Sequence, residues 1–282
     1  MFDHQGLSSL FNDVDGIWFP KSQSPGDISY PADGHNDCFA VEESSYWFRH
    51  RAESLQSMIQ RYPSQGPILD VGGGNGYMSH FLQSKRKMIL LEPGVAGALN
   101  AKSRGVDQVI CGELNDLESR FGEVSAMALF DVLEHIDPKK EFLKTVYAAL
   151  APGGRLYLSV PAYSFLWSEE DVSAGHFLRY TKTSLQNQLS RYGFKSLYLG
   201  YLFSWLPLPI FLLRSLPYRL GRTRDESVLV EQAQKQHTGG SDLISKMVYA
   251  SFGFERRLIQ WGGSVPFGSS LIAVAEKPSS PE

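Results

Sequence analysis

Cysteine is nearly absent: Cys38 and Cys111 stand far apart, with no CxxC pair. That excludes a disulfide framework and a cysteine-ligated zinc site, and it fits a reducing compartment. Positive charge is not in excess either, since 27 Lys and Arg face 30 Asp and Glu. Binding to a phosphate polymer usually leaves a basic imbalance, so nucleic acid is not an expected partner. The opening MFDHQGLSSLFNDVDG has neither the basic start nor the unbroken apolar run of a secretory leader, and a cytoplasmic setting is expected. Internal repeats and long low-complexity tracts are missing. One long uncharged stretch, SLYLGYLFSWLPLPIFLL at 196–213, is interrupted by Pro207 and Pro209, which argue against a spanning helix. Its first half reads as a buried strand. Arg214, Arg219, Arg222 and Arg224 follow, a pattern suited to docking at the inner face of a membrane.

What the chain does contain is 282 residues, 43% of them hydrophobic, enough to bury a substantial core. Residues 1–41 are rich in Gly, Pro, Asp and Ser and read as a loop-rich segment. Residues 41–62 place Trp47, Leu55, Met58 and Ile59 at helical spacing, ending before Pro63. From Pro67 onward, short apolar runs alternate with helical stretches, as in a mostly parallel sheet covered by helices on both faces. Strands are predicted at PILDV, MILLEP, QVICG, AMALFDV, RLYLSVP, KSLYLGYLF and SSLIAVAEK. Helices are predicted at YMSHFLQSK, AGALNAKSRG, KKEFLKTVYAALAPGG and TKTSLQNQLSRYG. Residues 204–264, before the last strand, are too many for a hairpin loop and read as a helical insertion. The core domain is therefore expected over 42–203 and 265–282.

LDVGGGNGYM, residues 69–78, leaves the first predicted strand with its backbone bare at Gly72, Gly74 and Gly76. Such a turn lets a nucleotide-like ligand lie against backbone at the carboxyl ends of the strands. A dinucleotide fingerprint would want its third glycine at position 77, where Tyr77 stands. Asp70 beside the loop would repel a pyrophosphate but suits a cofactor bearing an ammonium and a sulfonium, as S-adenosylmethionine does. Glu92 ends the second strand at the distance where an acid meets ribose hydroxyls, a feature that NAD and S-adenosylmethionine would both use.

With these residues in place, the chain resembles the class I S-adenosylmethionine-dependent methyltransferases. The resemblance rests on ILDVGGGNGYMSHFL, LLEP, CGELND, ALFDVLEHIDPKKEFLKTVYAALAPGGRLYLSVPA and SSLIAVAEK. It implies a Rossmann-like α/β fold with seven strands, the last antiparallel. By the same resemblance, Gly72, Gly74 and Gly76 approach the methionyl part with Asp70 shaping the loop, and Glu92 holds the ribose. Glu113 and Leu114 then flank adenine, although Asp is commoner than Glu there, and Phe130 and Asp131 lie beside the cofactor. EESSYWFRHR and LWSEEDVSAGHFLRYT are similar to a bacterial branch, and the resemblance implies a role like that of its many members in cell-surface glycan or lipid-linked pathways.

Methyl transfer from a sulfonium needs alignment and dryness more than a metal, and none is expected. An acceptor hydroxyl or amine would still need a base, the work to which histidine is best suited. His176 follows the fifth strand with Arg179 and Tyr180 available to orient a substrate; His135 follows the fourth and serves equally as a residue tied to nearby backbone. Trp47 and Arg51 either close over the cofactor, the arginine on its carboxylate, or act as an apolar anchor and a solvated neighbour. The expected activity is methyl transfer from S-adenosylmethionine to a small-molecule, glycan or lipid-linked acceptor, chosen by residues 204–264. Those residues equally suit a lid packing its own apolar side chains. A non-catalytic cofactor-binding subunit is the alternative, and an NAD-dependent oxidoreductase is disfavoured by Tyr77 and Asp70.

Overall fold

The computed structural model describes residues 4–21, 39, 41–117, 123–137, 141–222 and 242–279. Cys38 and Arg224 lie outside the described residues. Its frame is one sheet of nine strands among the described residues, in the order β1-β2-β5-β4-β3-β6-β7-β9-β8. In chain order these are β1 (Phe11–Val14), β2 (Ile17–Pro20), β3 (Ile68–Val71), β4 (Met88–Glu92) and β5 (Val109–Cys111). They continue with β6 (Val124–Phe130), β7 (Leu150–Pro161), β8 (Lys195–Leu202) and β9 (Ser270–Glu276). The strands from β2 to β7 pair in parallel, whereas β9 runs antiparallel between β7 and β8.

The expected seven strands are all present, with the last antiparallel, but the sheet is wider by two. The loop-rich reading of the N-terminal segment does not hold over residues 4–20, which form helix α1 (His4–Leu10) and the β1–β2 hairpin. Ile17 and Trp18 pair with Val109 and Ile110, so the hairpin covers the free edge of β5. Composition hid this because each strand is only four residues long, β1 carries Asn12 and Asp13 in succession, and the turn residues Asp15 and Gly16, both at positive φ, read as loop. Covering an exposed parallel edge removes a row of unpaired backbone groups.

The parallel strands are buried on both sides, and each alternation sends neighbours to opposite layers. In β6, Ala126 and Ala128 face one layer and Met127 and Leu129 the other. The first layer is closed by α2 (Tyr46–Arg61) through Ala52, Leu55, Met58 and Ile59, and by α3 (Tyr77–Gln83) through Met78 and Leu82. Ser45 caps α2, its hydroxyl accepting from Trp47 N at 3.2 Å. The second layer is closed by α5 (Phe142–Ala149) and α7 (Lys182–Arg191), through Leu143, Val146, Leu185 and Leu189. The helix α4 (Val95–Ser103) buries Ala98 and Ala101 beside β4 and β5.

The uncharged stretch at 196–213 divides as its prolines require. Its first part is β8, and a helical run begins at Pro207: α8 (Pro207–Ile210), a π-helical turn (Phe211–Ser215) and α9 (Leu216–Arg219), with Pro207 and Pro217 in first turns. No helix among the described residues is long and apolar enough to cross a membrane. After it, α10 (Asp242–Ser251) and α11 (Gly253–Gln260) pack back on α2. One buried carboxylate fastens this insertion. Glu255 accepts from Phe203 N at 2.7 Å, Ser204 N at 2.9 Å and His50 Nε2 at 2.7 Å, and these bonds hold its pKa below the usual value against burial. Glu255→Ala strands three buried donors at about 1–3 kcal/mol each. We expect a loss of at least about 3 kcal/mol in urea unfolding.

Candidate active site

The turn after β3 takes its shape from three left-handed residues, Gly72 (φ 71°), Gly74 (φ 53°) and Gly76 (φ 75°). A side chain is strained at each of these positions. Space adds a second constraint: a Cβ on Gly72 would stand 2.9 Å from Val132 Cγ2, and one on Gly76 2.7 Å from Ala101 Cβ. At Gly74 nothing lies within 4 Å, so the loop offers bare backbone where it is open. Gly73, passed over in the sequence, packs on Leu90 and Asp70, its added Cβ falling 2.8 Å from Leu90 Cγ.

Two buried carboxylates brace this loop. Glu92 accepts from Gly74 N at 2.8 Å through Oε2 and from Gly94 N at 2.7 Å through Oε1. Burial pushes it up to about 7 despite those bonds. Asp70 is fully buried and takes a hydrogen bond from Ser79 Oγ at 2.7 Å, while its Oδ1 has no partner. Burial pushes Asp70 up to about 6. A third brace comes from the N-terminal side: Arg104 donates to Glu42 at 2.5 Å and to Asn75 O at 2.6 Å, and Asn75 donates to Glu42 at 3.2 Å. Nothing in the sequence joins Glu42, Asn75 and Arg104, because they meet only by folding.

The other expected residues lie at the carboxyl ends of β5, β6 and β7, on either side of the point where strand order reverses between β3 and β6. Glu113 is partly exposed after β5, its N–H bonded to Asp116 Oδ2 at 2.7 Å; Leu114 and Phe130 are buried in the apolar layers. Asp131, at φ 57°, accepts from Ser159 Oγ at 2.8 Å and forms an ion pair with Arg51. Arg51 is therefore held by a protein carboxylate, not solvated, with its guanidinium 4.5 Å from the centre of the Trp47 ring. Its Nε has no partner, and burial lowers its pKa to about 10. Trp47 stacks on Phe203 at 5.4 Å between centroids, which joins α2 to the end of β8.

After β7, Asp171 organises the side chains around it, a role the sequence reading missed. It lies in α6 (Glu169–Ser173), fully buried, and caps its own helix by accepting from Ser168 N at 2.9 Å. Its Oδ1 meets His176 Nδ1 at 2.8 Å and accepts from Arg179 Nε at 2.7 Å, and those partners hold its pKa below normal against burial. A carboxylate on Nδ1 fixes that proton and leaves Nε2 as the basic nitrogen. Arg179 also donates to Ala162 O at 3.2 Å, so it positions the loop. Tyr180 is only 2% exposed, packed in the core beside the bridge to Ala162, and is not placed to orient a substrate. The only local signal for Asp171 was the Ser168-x-x-Asp171 spacing at a helix start.

His135 ends a short 3-10 turn, Leu133–His135, its ring edge-to-face with that of His176 at 4.7 Å between centroids. Burial and the neighbouring His176 push it down to about 3, so it is neutral. Glu134, also missed, is buried and pushed up to about 8 by burial. One donor atom from each of Glu134, His135 and His176 lies within 4.8 Å of the others.

The model of a family described as a methyltransferase domain matches residues 47–199, which include the glycine loop, Glu92 and the Asp171–His176 pair. The chain belongs to that methyltransferase-domain family. A curated relative, a probable S-adenosylmethionine-dependent methyltransferase of Mycolicibacterium smegmatis, is 27% identical over 134 residues, 46% of this chain and 51% of the relative. The chain thus spans about half the length of the curated relative it matches. Among solved structures, a SAM-dependent methyltransferase of Thermotoga maritima superposes with a TM-score of 0.51 at 14% identity, over 87% of this chain and 95% of that one. A Haemonchus contortus phosphoethanolamine N-methyltransferase bound to S-adenosylhomocysteine gives a TM-score of 0.50 at 16% identity, over 93% of this chain and 62% of that one. At such identities the likeness shows the fold alone. Family and relative both indicate S-adenosylmethionine as the methyl donor.

The residues present fit that donor: an orphaned carboxylate oxygen on Asp70 suits a cation, and the bare backbone at Gly74 leaves room beside it. A cationic ligand favours the ionised forms of Asp70 and Glu92, whose pKa values stand near 6 and 7 without it. Binding should therefore release protons, and calorimetry should find S-adenosylmethionine affinity rising from pH 5.5 to pH 8, over roughly that titration range. For the protein without ligand the sign reverses: raised carboxyl pKa values lose stability as pH climbs from about 4 through about 7. Asp70→Asn should flatten both profiles.

Proposed function

We propose that this protein moves a methyl group from S-adenosylmethionine to an acceptor held between the glycine loop and His176. The observation that carries the reading is the pairing of two dissimilar walls. One is backbone braced by buried carboxylates, suited to a cationic donor; the other is an imidazole set in a single tautomer by Asp171. The donor supplies an activated methyl group on a sulfonium. Asp70, Glu92 and the backbone of Gly72, Gly74 and Gly76 would hold it, with the Arg51–Asp131 pair and Trp47 closing the side. Glu113 and Leu114 are the proposed neighbours of its adenine.

His176 Nε2 takes the acceptor's proton, and Asp171 stabilises the imidazolium that results. Arg179 acts through Asp171 by keeping the pair in place. His135, held neutral, packs against the ring of His176 and limits its rotation.

The acceptor we infer is lipid-linked or a glycan on a lipid carrier. The insertion supports this: Leu208, Leu212, Leu213 and Leu220 are each at least half exposed on the helical run, in the same stretch as Arg214, Arg219 and Arg222. Anionic vesicles should pull the protein down in a flotation assay, and Leu212→Ser with Leu213→Ser should weaken that binding several-fold. Recovery wholly away from the vesicles would restrict the acceptor to a free small molecule.

His176→Ala tests the chemistry. Removing a general base slows the chemical step by about 10²–10⁴-fold, so kcat should fall in that range while S-adenosylmethionine affinity stays within about twofold. Wild-type turnover in this variant would remove His176 from the mechanism.

A further inference from the structure

Glu134 and His135 are consecutive in the turn after β6, and His176 comes from the loop after α6. Phe177 N donates to Glu134 O at 2.7 Å, a backbone bond that clasps the two segments and fixes the spacing of the three side chains. One donor atom from each falls within 4.8 Å of the others, close enough for one ion to touch all three. Proton transfer uses only one of them.

Glu134 supplies the second observation. It is 1% exposed, and its Oε2 has no hydrogen-bond partner. The nearby cations Arg51 and Arg179 attract it through space, but their ion pairs are with Asp131 and Asp171, and neither donates to Oε2. A buried carboxylate oxygen without a donor is costly unless something positive comes to it. Support behind the imidazoles is already built. His176 Nδ1 is held by Asp171, which turns Nε2 outward as a ligand atom, and His135 hydrogen-bonds the Ala174 backbone. Two imidazoles and one carboxylate are a donor set for zinc, manganese or iron(II) and a poor one for calcium.

We propose that Glu134, His135 and His176 form a binding site for one divalent transition-metal ion on the acceptor side of the cleft, with coordination positions left for an oxygen of the acceptor. With the ion in place, His176 Nε2 serves as a ligand and not as the base of the metal-free reaction above, and the acceptor hydroxyl is acidified by coordination instead. Its proton leaves to solvent, the oxygen–methyl bond forms, and the carbon–sulfur bond breaks with its electron pair passing to sulfur. This last step rests on the methyl-transfer reading, whereas binding of the ion does not.

The test begins with purified protein stripped by a chelator and titrated with Mn²⁺, free Mn²⁺ being followed by its paramagnetic resonance signal; Zn²⁺ is titrated in parallel by calorimetry. One ion per chain is expected, with at least tenfold weaker binding in Glu134→Gln and in His176→Ala. Mn²⁺ should also raise the melting temperature of the wild type and leave that of Glu134→Gln unmoved. Circular dichroism checks that each variant folds, and His135→Gln replaces any that does not. No binding at millimolar metal, or equal binding in wild type and variants, overturns the site. Binding without methyl transfer to any acceptor upholds the site and defeats the enzymatic reading; transfer that persists unchanged in chelated protein, together with absent binding, defeats the site alone.

Discussion

The Glu92 carboxylate, spread between the N–H groups of Gly74 and Gly94, is the interaction on which the rest of the cleft depends. It ties the turn after β3 to the turn after β4, so two loops that are free at their outer ends share one anion. Because the Glu92 side chain is buried, the bonds are strong and the cost of losing a partner is high. Asp70 repeats the arrangement one strand over, with Ser79 as its donor and one oxygen left over. Two raised carboxyl groups side by side make a pocket whose charge depends on what enters it, which is the electrostatic form of selectivity for a cation.

Rigidity around His176 has a different source. Asp171 collects Ser168 N, His176 Nδ1 and Arg179 Nε on one buried carboxylate, so a capped helix, a histidine and a loop arginine move as one body. His176 is therefore presented by a network, and the network rests on β7 through the Arg179 bond to Ala162 O. The Glu255 cluster does the same for the insertion, fixing the end of β8 to α2 and α11. In all three places a buried acid gathers backbone N–H groups that would otherwise go unmet where the chain leaves a regular element.

Much of this was legible locally. The strand–glycine–helix pattern at 69–78, the acid closing β4 and the alternation from Pro67 to Leu202 each follow from backbone sterics and hydrophobic period, which act over a few residues. The β1–β2 hairpin was not legible, since each strand has only four residues, β1 shows no apolar alternation, and β2 is placed by its pairing with β5. Tyr180 read as a pocket residue from its polar neighbours, yet the bridge to Ala162 turns it into the core. Arg51 read as solvated or cofactor-bound because its partner, Asp131, lies eighty positions away in the chain.

By itself the sequence determined where backbone must be bare, which strands are buried on both faces, and that an acid stands at the ends of β3 and β4. Those are consequences of φ, periodicity and side-chain charge, properties that each residue carries with it. Only the tertiary structure decided which acids keep an unpaired oxygen, that Asp171 stands behind His176, and that Glu134 and His135 come together with it. Partner choice among charged groups is set by distance and desolvation in the folded chain, and neither exists until the sheet has closed around them.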